Sequence, residues 1–122
     1  MKYTKSQEDF VEALLMLEEE GRPLETTLVA EKLHVSKPAV HQMGHELINR
    51  GLITRIDYGP MALTPLGREV AMEVLHRHRV LKETLLRLGV PEDIAEEDCC
   101  LVEHVISDET FRAIEAKLNE IK

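Results

Sequence analysis

The stretch EEDCCLVEHVIS, residues 96–107, sets Cys100, Glu103 and His104 at i, i+3 and i+4. On a helix these three side chains share one face and can converge on a single ion. Glu96, one turn earlier, joins that face, whereas Cys99 points about a quarter turn away and is expected in the core. A thiol, carboxylates and an imidazole make a mixed sulfur, oxygen and nitrogen donor set. Such a set suits first-row transition ions better than Ca²⁺ or Mg²⁺.

Two other segments offer donors. Val70, Val74, Leu81 and Leu85 recur as an apolar stripe, and His78 falls on it. An imidazole placed there needs a partner to offset its desolvation. His76, two residues earlier, lies near the opposite face, so both histidines cannot serve one site. Asp9 and Glu12 are i and i+3 near the start of the chain and border an apolar helical face. Both are candidate ligands, although Asp9 could instead close a capping box with Ser6.

The elements that must position these groups are legible as periods and punctuation. Ser6 can cap a helix running to about Glu20, with Phe10, Leu14 and Leu17 at helical spacing. Thr26 or Thr27 can cap a second, and Ser36 a third, with Pro38 in its first turn and Gly51 at its end. LITRID and MALT, joined by YGP, read as a hairpin. Thr64 and Pro65 open a long helix ending at Gly89. Helices from about Glu92 to Ile106 and from Ser107 onward close the chain. The expected fold is mainly α with a small β-wing: a winged helix-turn-helix over 1–64, then a helical metal-binding and dimerisation domain over 65–122.

In that order of elements the third helix enters the major groove of DNA with its N-terminal residues at base edges. Those residues are Ser36, Lys37, Pro38, Ala39, His41 and Gln42, with Lys37, Arg50 and Arg55 as phosphate candidates. The net charge of −8 over 122 residues argues against nucleic acid. Its distribution does not: from Thr26 to Ile56, Lys32, Lys37, Arg50 and Arg55 oppose only Glu31 and Glu46. No apolar run is long enough to span a membrane and the N-terminus has no apolar signal region, so a cytoplasmic protein is expected. Two adjacent cysteines cannot staple distant segments, which fits a reducing compartment.

Taken together, EDFVEALLMLEEEG, VSKPAVHQM, ELINRGLI, LTPLGREVA, RHRVL and CCLVEHVISDE resemble the diphtheria toxin repressor family, which includes the manganese transport regulators. The resemblance covers essentially the whole chain. It implies a homodimeric repressor that binds inverted-repeat operator DNA when loaded with Fe(II) or Mn(II), with Zn, Co or Ni able to substitute in vitro. The metal ligands it implies are Asp9, Glu12, His78, Cys100, Glu103 and His104, and Glu96 stands where the iron branch has an ancillary histidine. Asp9 follows the manganese branch and Cys100 the iron branch, while Lys82 replaces a family carboxylate four residues after His78. A short form without the SH3-like third domain, no membrane partner, no organic substrate and no enzymatic activity are expected. The alternative is a winged-helix protein-interaction module with a structural metal site. A Cys-x-x-Glu-His zinc hydrolase is a weaker rival, because no nucleophile motif or Gly-rich loop accompanies those residues.

Overall fold

The computed structural model describes residues 3–56 and 59–122. The turn expected at YGP includes Tyr58, which lies outside the described residues. The chain forms six helices and one hairpin among these residues: α1 (Lys5–Glu19), α2 (Thr26–Leu33), α3 (Lys37–Asn49), β1 (Ile53–Arg55), β2 (Met61–Leu63), α4 (Pro65–Arg87), α5 (Glu92–Val102) and α6 (Asp108–Ile121). It divides into two compact units, Tyr3–Met72 and Glu73–Lys122, with the division inside α4 rather than at its start.

In the N-terminal unit α1 is capped by Thr4, not Ser6. The Thr4 hydroxyl accepts from the Gln7 backbone N–H and the Gln7 side chain returns to Thr4 N–H, a reciprocal capping box that leaves Asp9 out. Phe10, Val11, Leu14 and Leu17 on α1 are buried with Val29 of α2, Val40 and Leu47 of α3, and Leu52, Ile53 and Met61 of the wing. The cap of α2 is Glu25, without a side-chain bond. Thr26, free of capping duty, accepts from Arg55 Nη2 at 2.7 Å. Ser36 caps α3 as expected, its hydroxyl accepting from Ala39 N–H. Gly51 then reverses the chain at φ +76°, which a β-carbon would disfavour.

The wing is one antiparallel pair, with Ile53 opposite Leu63 and Arg55 opposite Met61. Thr64 joins it to α4: its hydroxyl donates to Gly51 O at 2.6 Å and accepts from Gly67 N–H at 3.0 Å. Gly67 lies against the wing so closely that a β-carbon there would meet Leu52 O at 1.8 Å. Arg68 forks onto Glu18 of α1. These contacts are why the opening turns of α4 belong to the N-terminal unit.

In the C-terminal unit Val80, Leu81, Cys99, Phe111 and Leu118 form the core, with Leu85, Val102, Ile106 and Ile114 packed on it. Ser107 caps α6 by accepting from Thr110 N–H. Arg77, 2 % exposed, donates to Ile106 O at 3.1 Å and pairs with Asp108, tying α4 to the connection before α6. Helix α5 stops at Val102, short of the expected Ile106; Glu103 is its C-cap and His104 lies in the following turn. Glu103 keeps helical torsions (φ −57°, ψ −24°) and its N–H donates to Cys99 O, so the face shared with Cys100 continues through it, whereas His104 N–H turns to Leu101 O at 3.4 Å. The tightened turn therefore changes the aim of His104 alone.

Candidate metal centre and nucleic-acid interface

His78 of α4 is the hub of the C-terminal cluster. Its Nδ1 lies 3.0 Å from Glu103 Oε2 and its Nε2 3.2 Å from Glu96 Oε1. Cys99 Sγ stands 3.6 Å from Nδ1 and 3.8 Å from Nε2, and Cys100 Sγ 3.9 Å from Nδ1. Cys100 Sγ is also 3.9 Å from Glu96 Oε1, and His104 Nε2 is 3.2 Å from Glu103 Oε1. Glu103 is 1 % exposed. His76 faces elsewhere, paired with Glu115 and edge-on to Phe111.

A buried carboxylate needs every lone pair engaged or a cation beside it. Glu103 Oε1 accepts no hydrogen bond among the described residues. A divalent ion held by these imidazole, thiol and carboxylate donors would offset the buried charge, and the mixed donor set matches first-row transition ions. The residues present therefore fit a metal. Glu96 is engaged differently. Lys82 Nζ sits 2.9 Å from its Oε2 and holds its carboxyl below the usual carboxylate range, with His78 adding to the effect. The same hydrogen bond raises the Lys82 ammonium. Burial, then the neighbouring Cys100 and carboxylates, push the Cys99 thiol up to about 12.

In the N-terminal unit the α1 carboxylates have their own surroundings. Asp9 receives Lys5 Nζ at 2.7 Å, and Glu12 is half-buried. Glu8, which sequence reasoning passed over, is 1 % exposed. Its place three residues before Val11 and seven before Leu15, on the buried helical face, was the available signal.

The reading helix leaves Ser36, Lys37, Pro38, Ala39, His41 and Gln42 exposed, while Val40, Gly44 and Leu47 are buried beneath them. Two of the three expected phosphate contacts, Arg50 and Arg55, also make hydrogen bonds within the unit. Arg50 donates to Gln7 Oε1 at 3.1 Å and stacks on Tyr3. Arg55 spans from Gly59 O to Thr26, with Nη1 3.5 Å from His41 Nδ1, and so fixes the wing against α2 and α3.

Residues 2–59 match the iron dependent repressor N-terminal DNA binding domain, and residues 64–122 match the iron dependent repressor metal binding and dimerisation domain. An HTH-type transcriptional regulator of Methanocaldococcus jannaschii is 32 % identical over 121 residues, covering 98 % of this chain and 97 % of that one. The Escherichia coli O6:H1 transcriptional regulator MntR is 36 % identical over 106 residues, 87 % of this chain and 68 % of that one. A solved manganese-dependent transcriptional repressor in complex with manganese superposes with a TM-score of 0.85 at 28 % identity, over 93 % of this chain and 52 % of that one. The chain belongs to the iron-dependent repressor family.

The chain spans about half the length of the solved family members it matches. The expected family and the fold, a winged helix-turn-helix followed by a helical metal-binding and dimerisation domain, are both found. The structure brings together His78, Glu96, Cys100, Glu103 and His104 of the implied ligands. It adds Cys99, which helical geometry had assigned to the core alone. Cys99 is in that core at 0 % exposure, yet its sulfur is on the imidazole side. Adjacency to Cys100 was the signal that could have found it.

Proposed function

We propose that this protein is a metal-dependent transcriptional repressor that binds inverted-repeat operator DNA as a homodimer when loaded with Fe(II) or Mn(II), controlling metal-ion homeostasis in the cytoplasm. One observation carries the reading: a buried glutamate, Glu103, lacks a hydrogen bond on one oxygen inside a cluster of histidine and cysteine donors. The same chain presents an exposed, capped reading helix. The family models, and the manganese-bound repressor that shares the fold, support joining the two.

His78, Cys100, Glu103 and His104 would hold the ion, and Asp9 and Glu12 on α1 are the proposed donors from the N-terminal unit. A bound divalent ion supplies two positive charges to a chain whose formal charge is −8. If the DNA-competent arrangement is favoured ~100-fold in metal affinity, the bias is about 2.7 kcal/mol per site. Glu103 and His78 are held against each other before metal arrives, so part of the ordering is already in place. Ser36, Pro38, Ala39, His41 and Gln42 would meet base edges and Lys37 a phosphate. Arg50 and Arg55 position the helix and wing. Leu88, Ile94, Leu101 and Val105 of the C-terminal unit are exposed apolar side chains that a second copy would cover.

Electrophoretic retardation of a palindromic fragment tests this. Retardation is expected with Mn²⁺ or Fe²⁺ and lost on adding EDTA. Retardation unchanged by chelator would refute it and favour an interaction module whose metal is structural.

A further inference from the structure

The cluster holds more sulfur than the proposed repressor site uses. His78, Cys99 and Cys100 each offer one ligand atom within 4.8 Å of the others. The sulfur-to-nitrogen separations are 3.6 Å from Cys99 and 3.9 Å from Cys100 to the same His78 Nδ1. A tetrahedral ion bonded at ~2.3 Å to sulfur and ~2.05 Å to nitrogen spaces those donors ~3.6 Å apart. The three donors thus lie close enough for small side-chain rotations to bring them onto one ion. Cys99 is wholly buried and His78 nearly so, which keeps water from competing for them.

We propose that His78, Cys99 and Cys100 form a second, thiolate-rich coordination set for a thiophilic d¹⁰ divalent ion, Zn²⁺ or Cd²⁺, alternative to the set that takes Fe(II) or Mn(II). The two sets share His78 and Cys100, so they exclude each other. All three donors come from α4 and α5, so this set fills without Asp9 or Glu12. Binding releases two protons, one from each thiol, and forms two metal–sulfur bonds and one metal–nitrogen bond. Before metal, the Cys99 thiol donates to Glu96 O at 3.4 Å, and that bond is given up. The fourth corner is left to a carboxylate oxygen or water. Two thiolates favour soft ions strongly over Mn²⁺, which prefers oxygen. A zinc or cadmium ion would then sit in the C-terminal unit alone, diverted from the carboxylates of α1.

The test is an anaerobic titration of the full chain with Cd²⁺, followed by the ultraviolet sulfur-to-cadmium charge-transfer band, whose intensity counts thiolates. The wild type is expected to saturate at one ion per chain. Cys99→Ala and Cys100→Ala should each halve the band, and Asp9→Asn should leave it whole. A Cys99→Ala band equal to wild type would overturn the proposal. Cadmium NMR of the wild-type protein needs no variant: a resonance in the two-sulfur range supports the set, and one in the single-sulfur range overturns it. Neither readout involves DNA, so the result stands apart from the repressor reading.

Discussion

At the scale of single residues, Glu103 shows how a site can be held ready. One of its oxygens meets His78 and the other lies 3.2 Å from His104 Nε2 without hydrogen-bond geometry. Stranding a buried polar group costs ~1–3 kcal/mol. His78→Ala should lower metal-free stability by about that much and abolish the metal response of operator binding; denaturant melts and gel shifts read the two effects separately. Glu103→Gln keeps the volume and should lose the metal response while melting near wild type. Cys99, pushed up to about 12 mainly by burial, stays a thiol at neutral pH. Since the thiolate is the nucleophile, iodoacetamide at about pH 8 should leave Cys99 of the native, metal-free protein unmodified, as peptide mass mapping would show.

At the scale of elements, two joints place the reader. Ser36→Ala removes the α3 cap and should cost ~1 kcal/mol of stability, with a matching loss of DNA affinity. Gly67→Ala puts a β-carbon into Leu52 O and should cost ~1–3 kcal/mol, read as a lowered melting midpoint. The Glu18–Arg68 pair carries a pH signature. Arg68 holds the Glu18 carboxyl below its ordinary value, chiefly through their hydrogen bond. A lowered folded pKa gives stability above the unfolded pKa and loses it as pH falls through the folded one. Glu18→Gln should therefore be slightly less stable than wild type at neutral pH, and the difference should vanish in acid. The pair is partly exposed, so the effect is small.

At the scale of the molecule, the chain must bring DNA to a strongly acidic protein. Between Thr26 and Ile56 four cations oppose two acids, while acids outnumber cations over the rest of the chain, so the proposed phosphate contacts would release counterions locally despite the net charge. Retardation of operator DNA should weaken as salt rises, and Lys37→Ala should flatten that dependence without changing sequence preference. Metal affinity should fall in acid, because Cys100 binds as thiolate and the histidines as neutral imidazoles. A calorimetric titration repeated across pH would show it.

The order of elements, the caps at Ser36, Thr64 and Ser107, and the family were legible in the amino-acid order, because capping, turn chemistry and periodicity act over a few residues. His78 was found by the same logic, as a polar group on an apolar stripe. Tertiary packing decided what local rules cannot. It tightened the end of α5 after Glu103, so that His104 leaves the helical register. It gave Arg50 and Arg55 hydrogen bonds to Gln7 and Thr26. It set Cys99 beside His78, twenty-one residues away in the chain. Helical spacing says which side chains share a face; only the packing of α4 against α5 decides which atoms from different helices come within reach of one ion.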